Sequence, residues 1–327
     1  MDVTVVGAGV IGLTTALTLE ERGHDVRVVA AARGSATTSS IAAAVWFPYR
    51  VGPPGKVTVW AIRTRHWLEQ IARDVPEAGV DVLTGYEIIG DDGTKRPWWA
   101  ARPTMEGDAL ATEAIDPEGQ RDSDAPHIGV EYVPAPVTGS PHGWRFSAPR
   151  AQPSLFLPYL ESRLRRPVEH RVVRDLAQER GDVVINCTGL ASRELANDDL
   201  VYPLLGQIVI TERGDADLAT TVTDDRDPER IFYIIPRRDE LVLGGCSLPL
   251  PPGAEPELHP GITSRILANA RALGIAIGKV KTERVGLRPY RAEVRLEREG
   301  RVIHNYGHGG AGFTLCRGCA EDVARLL

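Results

Sequence analysis

The opening stretch, MDVTVVGAGVIGLTTALTLEERGHDVRVV, limits what this chain can fold into more than any other part of it. A β-branched run over residues 3–6 leads straight into Gly7-x-Gly9-x-x-Gly12. A helical stretch over 13–22 follows, Gly23 stops it, and a second apolar run covers 25–29. The glycine spacing gains its meaning from that order of strand, loop, helix and strand. It allows a tight turn, a close approach of backbone to a pyrophosphate, and a helix N-terminus aimed at the phosphates. A dinucleotide-binding, Rossmann-like α/β fold is therefore expected. One usual part is missing: the carboxylate that ends the second strand and holds the ribose should stand near residues 30–32, where Ala30, Ala31 and Ala32 are found.

A second glycine run lies close to the other end. VIHNYGHGGAGFTLCRGCA (302–320) holds Gly307, Gly309, Gly310 and Gly312, and residues 314–327 read as a helix. A second glycine loop feeding a second helix N-terminus implies another electron-rich group cradled by backbone N–H groups. The isoalloxazine edge of a flavin, which becomes negative on reduction, fits; a nicotinamide would leave this loop without a task.

Between these ends, residues 50–145 are rich in Pro, Gly and Trp with one helical stretch at 57–72, and read as an inserted substrate-side region. Residues 155–164 look helical, and DVVINCTG (182–189) reads as a buried strand returning to a parallel sheet. GQIVIT, IFYIIP and ELVLGGC are strands separated by turns, which points to a mostly antiparallel second sheet, while AEVRLERE alternates less cleanly. The expected organisation is a discontinuous FAD-binding domain from 1–49, 146–193 and 285–327, and an α+β substrate-binding domain from 50–145 and 194–284.

Bulk properties mainly exclude. A net charge of −6 argues against nucleic-acid or anionic-membrane surfaces. No run of eighteen apolar residues suggests a membrane span. The N-terminus lacks the basic region and cleavage site of a signal peptide, and ARLL is no peroxisomal tripeptide, so a cytoplasmic protein is expected. Four cysteines are too few for a disulfide scaffold. Cys316 and Cys319 form a lone C-x-x-C with no second pair to complete a zinc site, so no metal is expected.

With these residues in view, the sequence resembles the D-amino-acid oxidase and D-aspartate oxidase family of FAD enzymes. VIHNYGHGGAGFTLCRGCA is similar to the family's C-terminal signature, and GAGVIGLTTAL, AAAVWFPY (42–49), GWRF (143–146), DVVINCTG, DPERIFYIIP (227–236) and VGLRPYRAEVRLERE (285–299) follow in the family's order. The resemblance covers essentially the whole chain, most loosely over 50–142. It implies oxidative deamination of D-amino acids by hydride transfer from Cα to the flavin N5, giving 2-oxo acid, ammonia and hydrogen peroxide, with neutral, apolar side chains preferred. The implied partners are a small D-amino acid and dioxygen, with no nucleic acid and no membrane; a homodimer is left open.

The same resemblance implies the site. Arg288 matches the carboxylate-binding arginine, Tyr233 the tyrosine whose hydroxyl also reaches the carboxylate, and Gly310 the glycine whose carbonyl receives the amine. Arg291 matches a second arginine, read as structural. No residue is expected to act as acid or base, His304 and His308 included. Towards FAD the matching positions are Gly7, Ala8, Gly9, Val10, Ile11 and Gly12 at the pyrophosphate loop, and Thr37, Thr38 and Ser39 with their hydroxyls. Ala43, Ala44 and Val45 should line the flavin, Val172 should meet the adenine and Thr188 should lie near the returning strand. Arg288 and the backbone of Gly309, Gly310, Ala311, Gly312, Phe313 and Thr314 should close on the ring.

The chain departs from the family pattern in three places. DPERIFYIIP is about four residues shorter than the animal lid and lacks its extra tyrosine, so the mouth should be more open. Phe47 stands where mammalian amino-acid oxidases have a glutamine. Ala31 and Ala32 replace the common Asp–Arg pair, which should weaken the ribose contact and FAD retention. The alternatives are a D-aspartate oxidase, which needs one more cation from among Arg50, Arg237, Arg238 and Arg291; a glycine or sarcosine oxidase; and a flavin-binding redox sensor without turnover.

Overall fold

The computed structural model describes residues 1–89, 97–100, 128–134, 140, 142–214, 220–227 and 230–327. Along the chain, β1 (Asp2–Val6), α1 (Val10–Glu21) and β2 (Asp25–Ala30) build the expected βαβ unit, with β1 and β2 parallel. The short α2 (Thr38–Ile41) and the long α3 (Pro54–Asp74) follow, then β3 (Val80–Ile89), β4 (Val130–Pro134) and β5 (His142–Ala151). Next come α4 (Pro153–Ser162), β6 (Glu169–His170), β7 (Val183–Asn186) and α5 (Ser192–Leu195). The remaining strands are β8 (Tyr202–Glu212), β9 (Thr220–Asp224), β10 (Phe232–Pro236), β11 (Glu240–Gly244) and β12 (Leu248–Pro249). The chain closes with α6 (Pro260–Ala272), β13 (Val280–Glu299), β14 (Val302–His308) and α7 (Gly312–Arg325).

Among the described residues all the strands join one 14-stranded sheet, in the order β4-β5-β3-β9-β10-β11-β8-β13-β14-β7-β1-β2-β6 with β12 beside β8. From β14 through β7, β1 and β2 to β6 every pairing is parallel. From β4 to β13 the pairings are antiparallel except for β3 with β9. The two sheet characters expected from the sequence are therefore halves of one ladder, and β13 joins them. Its first half pairs with β8 from Val280 to Tyr290, and its second half pairs with β14 from Arg295 to Glu299. The register shifts between Tyr290 and Arg295, where the strand changes partners. That irregularity is why AEVRLERE alternates poorly although it continues a 20-residue strand.

The helices cover the parallel half. α7 is held between α1 and α3, with Leu13, Trp60, Phe313, Leu315 and Cys319 in one core. Helix α3, from the inserted region, thus packs along the C-terminal helix. Trp60 Nε1 donates to Asp322 Oδ2 at 2.7 Å and Arg63 pairs with the same carboxylate at 2.8 Å. A methyl group at Gly318 would lie 2.3 Å from Trp60 Cα, so the two backbones meet closely there. Cys316 and Cys319 are fully buried free thiols on α7; burial pushes the Cys316 thiol up to about 12, which keeps it protonated and inert. On the antiparallel half, Ile266 and Ala270 of α6 pack on Val209, Leu241 and Leu243. Among the described residues no helix is long and apolar enough to cross a membrane.

Candidate active site

One long cavity, about 470 Å³ in volume, runs from the first glycine loop to the second. Its size is that of a cofactor or substrate site. At one end β1 passes into Gly7, whose φ of +118° is a left-handed value that favours glycine. A Cβ there would come 2.3 Å from the Cys187 carbonyl oxygen on the neighbouring strand end. Gly9 caps α1 with no side-chain partner for the helix N–H groups, except that Val10 N donates to Ser39 Oγ at 3.0 Å. The open N-terminus of α1 therefore faces the cavity, which is the arrangement a pyrophosphate needs.

Gly7, Ala8, Gly9, Val10 and Ile11 line the cavity, as do Thr37, Thr38, Ser39, Ala43, Ala44, Val45, Val172 and Thr188. Gly12 does not. A Cβ on it would sit 1.9 Å from Gly7 O, so it is the residue that lets the helix rest against the loop. The Thr37 hydroxyl donates to Gly34 O at 2.8 Å, and Thr188 Oγ1 to Asn186 Oδ1 at 2.8 Å. Where a ribose carboxylate is usual, Ala30, Ala31, Ala32 and Ala36 form the wall. Arg33 is turned away in an ion pair with Glu161. No acidic side chain lines that end among the described residues.

At the other end, Gly309, with φ +54°, donates its N–H to Pro289 O at 2.9 Å. Gly309, Gly310, Gly312 and Phe313 line the cavity. Ala311 does not; it is the buried N-cap of α7, without a side-chain cap bond. Thr314 is also set back: its hydroxyl donates to Phe47 O at 3.0 Å and accepts from Phe47 N at 3.1 Å, tying the 43–47 segment to α7. Two buried polar atoms on the cavity wall, Asn305 Oδ1 and His308 Nε2, have no hydrogen-bond partner. Burial pushes the His308 ring down to about 3, so it stays neutral at ordinary pH and is a poor general base. The two open helix N-termini, the close-approach glycines and these orphan polar atoms together fit a dinucleotide whose flavin end meets the second loop.

Arg288, on β13, and Tyr233, on β10, enter this end of the cavity with Gly310. Arg288 Nη1 donates to Leu205 O at 3.2 Å and Cys246 O at 2.8 Å, and among the described residues the guanidinium has no ion pair. Gly206 makes room beneath it, since a Cβ there would lie 2.6 Å from Arg288 Cζ. Burial raises the Tyr233 phenol, partly offset by Arg288, so the hydroxyl remains a neutral donor. Arg291 instead bonds Asp198 at 3.0 Å, the structural part expected of it.

Several wall residues were not singled out from sequence. Tyr49 abuts Gly310, with its Cδ1 3.2 Å from where a Cβ would stand; it closes the AAAVWFPY stretch, so an aromatic in that motif was the available signal. Thr223, Asp225, Ile231 and Ile235 also face the cavity. Only the strand register reveals them, because nothing in TDDRD tells one acid from the next. The expected shortening of the lid falls partly on residues 228–229, outside the described residues. Phe47 lines the cavity and stacks on Phe146 at 6.1 Å. No cluster of three potential metal ligands occurs among the described residues.

Residues 2–326 match the profile of a family described as FAD dependent oxidoreductase. The chain is 39% identical over 334 residues to a D-amino-acid oxidase from Rubrobacter xylanophilus, covering 98% of this chain and 94% of that protein. It is 37% identical over 337 residues to a D-amino-acid oxidase from Streptomyces coelicolor, covering 99% and 96%. Among solved structures, a glycine oxidase from Geobacillus kaustophilus superposes with a TM-score of 0.75 at 18% identity, covering 99% of this chain and 94% of that one.

Proposed function

The chain belongs to the FAD dependent oxidoreductase family, and on that footing we propose that it is a D-amino-acid oxidase acting on D-amino acids with neutral, apolar side chains. The observation that carries this reading is the guanidinium of Arg288, without an ion pair among the described residues, beside Tyr233 and Gly310 at the end of the cavity opposite the pyrophosphate loop. In this reading residues 1–49, 146–193 and 285–327 hold FAD, and 50–145 and 194–284 shape the substrate side.

Arg288 clamps the substrate carboxylate with its planar donors, and the Tyr233 hydroxyl donates to the same group. The Gly310 carbonyl accepts from the α-amine. Three anchors fix the orientation of Cα in the cavity, so most of the protein's contribution is orientation. FAD, held between the 7–11 loop and Gly309, Gly310, Gly312 and Phe313, would supply the oxidising chemistry as acceptor of the hydride from Cα, with dioxygen as the final oxidant and hydrogen peroxide as its product. The walls Phe47, Ile231 and Ile235 exclude water from the reacting face. No side chain is needed as acid or base when the substrate binds as the neutral amine, and His308 is unsuited to that task.

The test is to mix the yellow holoenzyme anaerobically with D-alanine, L-alanine and sarcosine, and then to admit air and measure peroxide. Bleaching by D-alanine alone, followed by peroxide, is the expected result. A protein that keeps its colour with every D-amino acid is a flavin-binding sensor. Bleaching by sarcosine in preference to D-alanine would reassign it as a glycine or sarcosine oxidase.

The D-aspartate oxidase reading fares less well. None of Arg50, Arg237, Arg238 and Arg291 lines the cavity, and among the described residues the charged wall residue besides Arg288 is an acid, Asp225. Gly244→Ala checks the part given to Tyr233 while keeping its hydroxyl, by displacing the ring that carries it. A methyl at 244 would stand 2.0 Å from Tyr233 Cζ and must displace the ring. KM for D-alanine is expected to rise roughly tenfold, the scale for losing one hydrogen bond to a charged group. An unchanged KM would remove Tyr233 from the carboxylate.

A further inference from the structure

On the cavity face of the antiparallel half, Thr223 and Asp225 of one chain segment alternate into the cavity, as do Ile231, Tyr233 and Ile235 of the next. That is the period of two that puts alternate side chains on one sheet face. Thr223 lies directly across from Tyr233 in the β9–β10 register. Two residues of strand separate Asp225 from Thr223, roughly 6–7 Å. The Asp225 carboxylate therefore stands about one long side chain away from the carboxylate-binding end, with Ile231 supplying apolar wall beside it.

A second acid lies behind it. Glu87 pairs with Thr223 in the parallel β3–β9 register, one strand further out on the same face. It is only 9% exposed, and its Oε2 has no hydrogen-bond partner. Asp224 is occupied by Arg226 at 2.8 Å, but neither Glu87 nor Asp225 has an ion pair among the described residues. Burial, reinforced by the Asp225 charge, pushes the Glu87 carboxyl up to about 8, and burial also raises Asp225. Buried carboxylates without a counter-charge are costly, and a cation brought to them relieves that cost.

We infer that Asp225, backed by Glu87, is a specificity residue that receives a cationic group at the far end of the substrate side chain, so that long basic D-amino acids such as D-lysine and D-arginine are substrates. This rests on the oxidase reading and deepens it. The methylene stem of such a side chain is itself apolar and packs where a neutral side chain would. The distal ammonium or guanidinium stays protonated against Asp225 while the α-amine is oxidised. An acidic side chain is repelled at the same place, which adds a reason for the weak case for D-aspartate.

The test compares D-lysine with D-norleucine, two substrates of nearly equal length that differ in the terminal ammonium. The holoenzyme and its Asp225→Asn variant are assayed by peroxide release, and the ratio of kcat/KM values is taken within each protein, so a general loss of activity or of FAD cancels. The D-lysine to D-norleucine ratio is expected to fall on the order of tenfold in the variant, chiefly through KM for D-lysine. An unchanged ratio overturns the inference, as does a wild-type enzyme that oxidises D-alanine and D-norleucine but leaves D-lysine untouched. Failure on D-alanine and D-norleucine as well sinks the oxidase reading itself, and this inference with it.

Discussion

Arg288→Leu is expected to remove about 2–5 kcal/mol of transition-state binding from kcat/KM for D-alanine, the scale for truncating one member of a buried charged pair. The size follows from where the guanidinium sits. One nitrogen, Nη1, is spent on the Leu205 and Cys246 carbonyls, which fixes the plane of the group. The rest of the fork faces a cavity with no protein anion beside it among the described residues, so in this reading the substrate carboxylate is its counter-ion. The substitution also removes the guanidinium donor from the Leu205 and Cys246 carbonyls, so the flavin content of the variant must be measured alongside peroxide release. Arg288→Lys separates the two effects: it keeps a charge and a donor but loses the planar fork, and should recover only part of the activity. A leucine variant that holds FAD and works near the wild-type kcat/KM would put the carboxylate clamp elsewhere.

Gly12→Ala is expected to weaken FAD retention by about 1–3 kcal/mol, the scale for forcing an extra carbon into a close-packed site. Although Gly12 does not touch the cavity, an added Cβ would stand 1.9 Å from Gly7 O and 2.8 Å from Gly7 C. Both are backbone atoms, so no side chain can rotate out of the way. Either α1 lifts or the Gly7–Val10 turn shifts, and in both cases the helix N–H groups lose their aim. The flavin-to-protein ratio after gel filtration, and titration of apoprotein with FAD, would report the change. The ribose end offers little to compensate, because alanines stand where a carboxylate is usual. A variant that purifies fully yellow and binds FAD as tightly as wild type would show that the contact between helix and loop is slack.

The parts of this protein that could be read from sequence are those where local chemistry fixes local structure. The βαβ unit, the α7 N-terminus and the buried strand at 182–189 all announce themselves through glycine spacing and β-branched runs. Cavity-lining residues on those pieces, from Gly7 to Ile11 and at Gly309, Gly310, Gly312 and Phe313, lie within a few positions of a motif. Gly12, Ala311 and Thr314 share the motifs but face the packing side, a distinction that depends on which way the helices lean. The fusion of both sheet halves through β13 was hidden because a strand that changes partners changes its buried face midway. Asp225 and Ile231 were hidden for a related reason: their common face exists only once β9 and β10 are paired in the observed register. α3 offered a helical pattern but no sign of which neighbour Trp60 and Arg63 would meet.

The strand β13 carries a consequence for chirality. Arg288 precedes Pro289, whose carbonyl takes the N–H of Gly309, and Tyr290 pairs with His308 two positions before Gly310. In the proposed reading the acid clamp and the amine acceptor are thus riveted to one another across a single rung, like the jaws of a calliper set to a fixed gap. An L-configured molecule gripped by the same jaws would point its side chain where the D form offers its Cα hydrogen. On that reading handedness is enforced by the spacing of two backbones, and needs no moving part.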